Sequence, residues 1–327
     1  MSQKHSWLFT TLWLALTAAA AAAAADGGIK ITEQEDRLRV ELNGELFTEY
    51  RFKGAPHVYF YPLIGPGGVH MTRHYPMKKD SEGEQYDHEH HRSVWYSHGA
   101  VNGIDFWAET PKAGKIVHDK FLDVKADKNS GVIRSANKWI APDGTVTCTD
   151  ERTFRVHARP KNERLFDFEV TIHAGDKEVV LGDTKEGTMA IRLAETMRLT
   201  PNKFNQGKPT GNIVLSTGVT GKDTWGKQAP WCDYSGPIEG KTLGVAIFDH
   251  PSNPRHPTWW HVRDYGLFAA NPFGVHDFEK KPQGTGDLKI EAGKSVTFKY
   301  RFYVHEGDEK QGKVAERYAE YASKKTQ

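Results

Sequence analysis

The chain has 327 residues, and its 44 lysines and arginines against 42 aspartates and glutamates give a net charge of +2 at pH 7. So small a net charge provides no field to attract nucleic acid or an anionic membrane, and a small-molecule partner is expected instead. Two cysteines without a CxxC motif exclude a sulfur-only zinc site, and whether Cys148 and Cys232 pair stays open.

The N-terminal segment has the pattern of a secretory signal. A short basic stretch precedes an apolar run over residues 8–25, which ends in small residues before Asp26. The alternative is a membrane anchor, but alanine is a weak membrane residue and charges follow at once. We therefore predict a signal peptide over residues 1–25, cleaved near Ala25. The mature protein would then be periplasmic or secreted, without a membrane span.

The mature chain reads as strands separated by tight turns. Apolar residues alternate with polar ones in RLRVEL, ELFTEYRF and later segments, and Asn43-Gly44 and Pro142-Asp143-Gly144 are turn sequences between such runs. This pattern predicts an all-β protein, a large antiparallel β-sandwich formed by one domain over residues 26–327. Only the tail has helical spacing, which predicts a short C-terminal helix with one apolar face: Val314, Tyr318 and Tyr321.

Two segments, residues 62–112 and 249–287, resist the strand pattern because they are rich in Gly, Pro, His and Trp. Long irregular loops in a compact β domain are usually functional. The first contains His88, His90, His91 and His98 close to Asp105. Three interpretations remain open for these histidines: a divalent metal site at His88 and His90, an acid/base site, or a structural loop.

The second segment alternates aromatic residues with hydrogen-bonding side chains. A sugar needs a flat ring against its C–H face, and both donors and acceptors for its hydroxyl groups. Arg192 on a buried strand face would need a carboxylate or a ligand beside it, and Glu186 is a candidate acid or base. The candidate substrate-binding residues of the chain are Arg92, Trp107, Arg192, Trp231, Asn253, Arg255, Trp259, His261 and Asn271.

Several catalytic signatures are absent from the sequence. It contains no phosphate-binding GxGxxG or GxxxxGK[ST] motif, no GxSxG nucleophile turn and no HExxH zinc motif. No cofactor is therefore predicted from a motif, and a divalent metal at the histidines is the one alternative.

Four motifs in order, HHRSVWYSHGAVNGIDFW, GDTKEG, APWCDYSG and DHPSNPRHPTWWHVRDYGLFAANPFG, resemble an exported bacterial family of unknown function with the label PmoA-like. The resemblance implies a β-supersandwich similar to galactose mutarotase, with a carbohydrate site formed by loops over one sheet face. It does not imply a methane monooxygenase subunit, which is an integral membrane protein. The matching positions are His90, His91, Arg92, His98, Asp105, Glu186, Asn253, Arg255, Trp259, His261 and Asn271.

The leading hypothesis is an exported carbohydrate-active enzyme that performs acid/base chemistry on a sugar or modified sugar, as an epimerase, lyase or glycoside hydrolase. His91 or His98 would transfer the proton, with Glu186 or Asp105 as its partner. Arg92 and Arg255 would hold an oxyanion, carboxylate or enolate. The alternatives are a non-catalytic periplasmic carbohydrate-binding protein and a metal-dependent sugar enzyme.

Overall fold

The computed structural model describes residues 27–323. The predicted signal peptide lies outside these residues. The described chain is mostly β-strand with two short helices, which confirms the all-β prediction. Neither helix within residues 27–323 is long and apolar enough to cross a membrane.

The elements follow one another in chain order as eighteen strands and two α-helices. The strands are β1 Ile29–Glu33, β2 Arg37–Leu42, β3 Glu45–Arg51, β4 Tyr59–Leu63, β5 Val94–His98, β6 Lys115–Ala126, β7 Ser130–Ile140, β8 Val146–His157, β9 Glu163–His173, β10 Val179–Leu181, β11 Gly187–Arg192, β12 Asn212–Leu215, β13 Trp231–Ile238, β14 Lys241–Asp249, β15 Trp259–Val262, β16 Leu267–Asn271, β17 Leu288–Ile290 and β18 Ser295–Glu306. The helices are α1 Val275–Glu279 and α2 Val314–Ala322.

Most strands belong to two eight-stranded sheets. The first has the order β1-β2-β3-β4-β5-β11-β16-β15, and the second has the order β12-β13-β14-β18-β9-β8-β7-β6. Strands β10 and β17 form a separate pair. All paired strands are antiparallel, as the tight turns predict. Asn43 and Gly44 have φ values of 53° and 81°, the left-handed conformation that a two-residue hairpin turn requires.

The main core lies between the two sheets. Because side chains alternate along a strand, Tyr96 on β5 and Met189 on β11 point into this core, while Trp95 and Ala190 belong to a different apolar cluster on the opposite face. The first sheet is therefore buried on both faces. Loops rather than a second sheet cover its outer face.

The C-terminal helix, whose existence the spacing of the tail predicts, covers the outer face of the second sheet. Val314 and Tyr321 are buried against Phe248 and Tyr303. Trp231, a predicted sugar-binding residue, belongs to the same packed cluster. Trp231 therefore packs against the C-terminal helix. It lies on the second sheet, whereas the candidate site lies on the first.

Both cysteines are buried as free thiols, Cys148 on β8 and Cys232 on β13. Burial raises the pKa of each thiol, so neither is a reactive thiolate near neutral pH. The open question of a disulfide is answered against pairing in this structure.

Candidate functional site

The outer face of the first sheet presents a row of side chains in direct register. His261 pairs with Ala269, Ala269 with Ala190, Ala190 with Trp95, and Trp95 with Tyr59. Two alanines in the middle leave room between the large rings at either end. All five residues are buried, so the covering loops define what reaches this row.

Arg73 positions the histidine-rich loop above this face. Its guanidinium donates hydrogen bonds to the backbone carbonyls of Gln85, Asp87 and His88, at 3.2, 2.8 and 3.0 Å, and to the carboxylate of Asp87 at 2.5 Å. Arg73 is completely buried. Its donors are used by the loop, which gives Arg73 a positioning role rather than a binding one.

Arg192, at the end of β11, holds the next part of the site. Its Nη1 donates to Nδ1 of His91 at 3.1 Å, and its Nη2 lies 3.2 Å from the Glu195 carboxylate and 3.4 Å from that of Asp87. The guanidinium carbon stands 4.8 Å from the centre of the Tyr265 ring. Arg192 therefore links the sheet, the histidine loop and an aromatic residue in one buried arrangement.

The histidine-rich loop is anchored by a cluster of charged side chains, Arg73, Asp87, Arg192, Glu195 and Arg198, which together with His90 and His91 is called the histidine cluster below. These side chains carry more positive than negative charge. The guanidinium groups of Arg73, Arg192 and Arg198 surround two carboxylates, Asp87 and Glu195. Burial raises the pKa of Asp87, but the His88 hydrogen bond and the charges of Arg192 and Arg73 outweigh this and hold it well below its usual range. Burial and the neighbouring Arg192 lower the pKa of Arg73 to about 10. One positive charge remains without a matching carboxylate.

Two of the histidines have different hydrogen-bonding states. Because Nδ1 of His91 accepts from Arg192, its proton must reside on Nε2, so His91 is a fixed N–H donor. Burial and the charge of Arg192 keep its pKa well below the usual value. The His90 ring centre lies 4.5 Å away, and burial together with His88 lowers the His90 pKa to about 4. Within residues 27–323, no protein group hydrogen-bonds to the His90 ring.

Several donors in this region lack a partner. In the described part of the chain, the indole N–H groups of Trp95 and Trp107 and Nε of Arg192 are buried without a hydrogen bond. The rings of Trp95 and Trp107 are centred 5.1 Å apart, and His91 stacks on Trp95 at 5.4 Å. An unpaired buried N–H group is costly, so a bound acceptor near these groups would be favourable.

The family of the chain follows from its sequence. The model of a family of unknown function, DUF6807, matches residues 37–319. The chain belongs to this family. No curated protein matches the chain, and the PmoA-like label that its motifs resemble stays a prediction.

The solved structures that match this DUF6807 member share little sequence identity with it and have low TM-scores. Heparan sulfate lyase HepC from Pedobacter heparinus is 9% identical with a TM-score of 0.39, and the match covers 87% of this chain and 36% of the lyase. A GalM/aldose epimerase homologue from C. elegans is 9% identical with a TM-score of 0.33, covering 86% of this chain and 99% of that one. The chain thus spans about a third of the lyase length. The activities in these names are properties of those proteins.

Two predicted catalytic residues of this DUF6807 member, His98 and Asp105, have structural roles. His98 is buried against Phe273, and its Nε2–H donates to the Gly182 carbonyl at 2.8 Å. The carboxylate of Asp105 accepts the backbone N–H groups of Trp107 and Ala108, at 2.7 and 3.0 Å. His98 is thus a packed interior residue, and Asp105 shapes the turn that places Trp107.

Glu186 lies at the rim. It is 39% exposed and forms an ion pair with Lys185. Asn271 holds its loop by donating to the carbonyls of Thr184 and Lys185 at 3.0 and 2.8 Å. Glu186 is therefore accessible, but Asn271 acts through the backbone and leaves no donor for a sugar.

Three other predicted sugar-binding residues are tied to the protein. Asn253 bonds to Asp249 and to the Lys299 backbone, and Trp259 donates to Glu279 at 2.9 Å. His261 accepts from Trp225 at 3.1 Å, and burial lowers its pKa to about 3. Trp259 and His261 stabilise the far edge of the first sheet, whereas Asn253 holds its loop against β14 and β18 of the second sheet.

Arg92 is also engaged by the protein. Its guanidinium makes a bidentate ion pair with Glu109, at 2.5 and 2.6 Å. The pair stands beside Tyr59, with the guanidinium carbon 5.6 Å from its ring centre. Arg92 borders the site as one half of a neutral pair.

Arg255 ties three backbone carbonyls together. It donates to Pro272 at 3.1 Å, to Gly286 at 2.5 Å and to Asp287 at 2.7 Å. We expect Arg255→Met to lower the free energy of unfolding by about 1–3 kcal/mol, because the carbonyls of buried Pro272 and Gly286 lose their donor. Ligand affinity at the histidine cluster should change less than about twofold. Urea denaturation and titration calorimetry measure the two effects, and a tenfold loss of affinity at unchanged stability would contradict this assignment.

The predicted metal site at His88 and His90 lacks a third protein ligand within the described residues. Among residues 27–323, no group of three or more His, Cys, Asp or Glu side chains is arranged to hold a metal ion. His88 and His90 have ring centres 5.8 Å apart, and Nδ1 of His88 lies 3.3 Å from Asp87. A metal at His88 and His90 stays a prediction.

The structure adds residues that the sequence interpretation missed. Glu195, Trp95 and His57 are buried members of the site. Glu195 lies three residues after Arg192 and forms an ion pair with it. The sequence-based expectation that a buried Arg192 needs a neighbouring carboxylate could therefore have identified Glu195. Trp95 and His57 had no comparable signal, because only strand pairing brings them together.

Proposed function

We propose that this protein is an exported carbohydrate-active enzyme that moves a proton on a sugar by acid/base chemistry, as an epimerase or a lyase. The observation that supports this most strongly is the Arg192–His91 hydrogen bond beside His90. It pairs a fixed N–H donor with a second, neutral imidazole whose nitrogens are not engaged by the protein. Removal of a proton adjacent to a carbonyl group requires a base for the proton and a hydrogen-bond donor for the oxyanion that forms.

In the proposed reaction, His90 removes a proton from a sugar carbon next to a carbonyl. The electron pair of that C–H bond forms a C=C bond, and the π pair of the carbonyl moves onto its oxygen, which gives an enolate. Nε2–H of His91 and the excess positive charge at Arg192 stabilise the developing negative charge. Delivery of a proton from water to the opposite face, with release of the first proton from His90 to solvent, gives an epimer, whereas departure of a group from the next carbon gives elimination.

Glycosidic hydrolysis fits the cluster less well. It ordinarily requires two carboxylates on either side of the scissile bond, one of them protonated. Here Asp87, Glu109 and Glu195 are all paired with arginines. Their charges are already used to hold the site together, so none is a ready general acid.

The surroundings of the cluster suit a sugar. The aromatic rings of Trp107 and Tyr265 stand near His91, with ring centres 6.0 and 6.4 Å from the imidazole, and Tyr265 also stacks on His88 at 5.2 Å. The unpaired indole N–H groups add donors for hydroxyl or carbonyl oxygens. Export, which depends on residues outside the described chain, is part of the proposal.

The test is deuterium uptake from D2O into a panel of sugars, uronic acids and keto-sugars, because exchange reports C–H cleavage whatever the product. We expect His90→Gln to reduce exchange by at least about 100-fold, the usual contribution of a general base. Its thermal midpoint should change little because the ring makes no hydrogen bond. The control is His173→Gln, which removes an imidazole 36% exposed on the second sheet.

The outcomes separate the alternatives. Exchange that survives in His90→Gln would remove His90 from the mechanism. Binding without exchange by the wild-type protein would favour a carbohydrate-binding protein, and exchange lost only on addition of chelator would favour a metal-dependent enzyme. Exchange should also fall as the pH drops through about 4, where His90 becomes protonated.

A further inference from the structure

A large cavity adjoins the histidine cluster and takes no part in the chemistry proposed above. It has a volume of about 760 Å³ and is lined by the segment 81–87 together with Lys203 and Phe204. Cavities of roughly 300–1,000 Å³ are typical of small-molecule sites. Asp87 lines the cavity and also contacts Arg73 and Arg192, so the cavity and the cluster share one side chain.

Two aromatic residues of the lining are exposed. Tyr86 is 54% exposed and Phe204 is 45% exposed, which is unusual for large apolar rings. Tyr86 is held by stacking on Tyr75, with ring centres 4.6 Å apart and planes inclined by 13°, and its hydroxyl lies 3.1 Å from the backbone nitrogen of Ser81. Tyr86 is thus held with its other face free, and the Phe204 ring has the Lys203 ammonium 4.8 Å from its centre. Exposed aromatic rings of this kind are suited to stack on the C–H face of a sugar.

The polar lining indicates a neutral ligand. Glu82 and Glu84 contribute two carboxylates against the single ammonium of Lys203, while the charge of Asp87 is already matched by Arg73 and Arg192. This excess of negative charge repels an anionic sugar, whereas carboxylates accept hydrogen bonds from neutral hydroxyl groups. In the described chain, the Ser81 hydroxyl is buried without a partner and adds one more group for a hydroxyl-rich ligand.

We infer that this cavity is a second saccharide subsite, which binds a neutral sugar unit stacked on Tyr86 and Phe204. The substrate would then be an oligosaccharide of at least two units, with the reacting unit at His90 and His91 and the next unit beyond Asp87. The inference rests on the proposed function for the reacting unit alone. The cavity, its aromatic faces and its charge support the neutral unit independently.

The test compares neutral disaccharides with the methyl glycosides of their single units. Cellobiose, maltose, laminaribiose and lactose would be titrated into the mature protein by calorimetry, beside methyl glucoside and methyl galactoside. We expect at least one disaccharide to bind about tenfold or more tightly than its methyl glycoside. Tyr86→Ala and Phe204→Ala should each reduce that ratio by about five- to tenfold, the value of one stacking contact.

The matched control is Val146→Ala, which truncates an apolar side chain 52% exposed on β8. It should leave the ratio unchanged. A ratio near one in the wild-type protein, no disaccharide binding across the panel, or a ratio unaffected by Phe204→Ala would each overturn the inference. Deuterium exchange into a monosaccharide with no gain from a second unit would leave the proposed function intact. Disaccharide binding that Phe204→Ala weakens, without any deuterium exchange, would support the second subsite and contradict the proposed enzymatic function.

Discussion

Glu195→Gln is expected to lower the free energy of unfolding by about 3–5 kcal/mol, the usual cost of removing one partner from a buried ion pair. Glu195 is only 5% exposed, and its carboxylate accepts from Arg192 at 3.2 Å and from Arg198 and Asn202 at 2.7 Å each. The substitution keeps the shape but leaves three guanidinium groups around the single carboxylate of Asp87. Urea denaturation at pH 7 measures the loss.

The same substitution should remove most deuterium exchange, because Arg192 loses the carboxylate that holds it beside His91. The matched control is Glu151→Gln, in an ion pair with Arg134 whose side chains are 43% and 45% exposed. That change should cost less than about 1 kcal/mol, since water screens an exposed pair. A loss below about 1 kcal/mol in Glu195→Gln as well would mean that the excess charge is solvated, and the buried cluster would need another description.

Much of the fold was predictable because strands and turns have local signals. Period-two alternation and Asn43-Gly44 predict the β2–β3 hairpin, and the helical spacing of the tail predicts α2. Strand β5, Val94–His98, lies inside the segment 62–112, for which the sequence predicts irregular structure. All five of its residues are buried, so the alternation that reveals a half-exposed strand is absent from its sequence.

The site was less predictable because its members are far apart in the chain. The histidine stretch and Arg192 stood out by residue type, and the structure brings them together. Roles could not follow from residue type alone: Arg255 and Asn271 have the donors that a sugar needs, yet both use them on backbone carbonyls. Which donors remain free is decided by the tertiary fold.

The second large effect is a loss of stability in mild acid. Burial lowers the pKa of His98 to about 4 and that of His261 to about 3, while an unfolded histidine titrates near 6.5. The unfolded chain therefore binds more protons than the native protein below about pH 6.5, so stability falls as the pH decreases towards these native values. At pH 5 each histidine should cost about 2 kcal/mol relative to pH 7, or about 4 kcal/mol together.

This window is distinct from ordinary acid unfolding. Carboxylates with lowered pKa values, such as Asp87, lose their contribution only below about pH 4. His305 acts in the opposite direction, since its Asp233 partner outweighs burial and raises its pKa, and it offsets part of the loss. Urea denaturation at pH 7 and pH 5 should show a smaller difference in His98→Gln, by about 2 kcal/mol, than in the wild type or in His173→Gln, which changes a half-buried histidine. An unchanged difference would place the acid sensitivity in other groups, because His98 would then not be held neutral by its burial between the sheets.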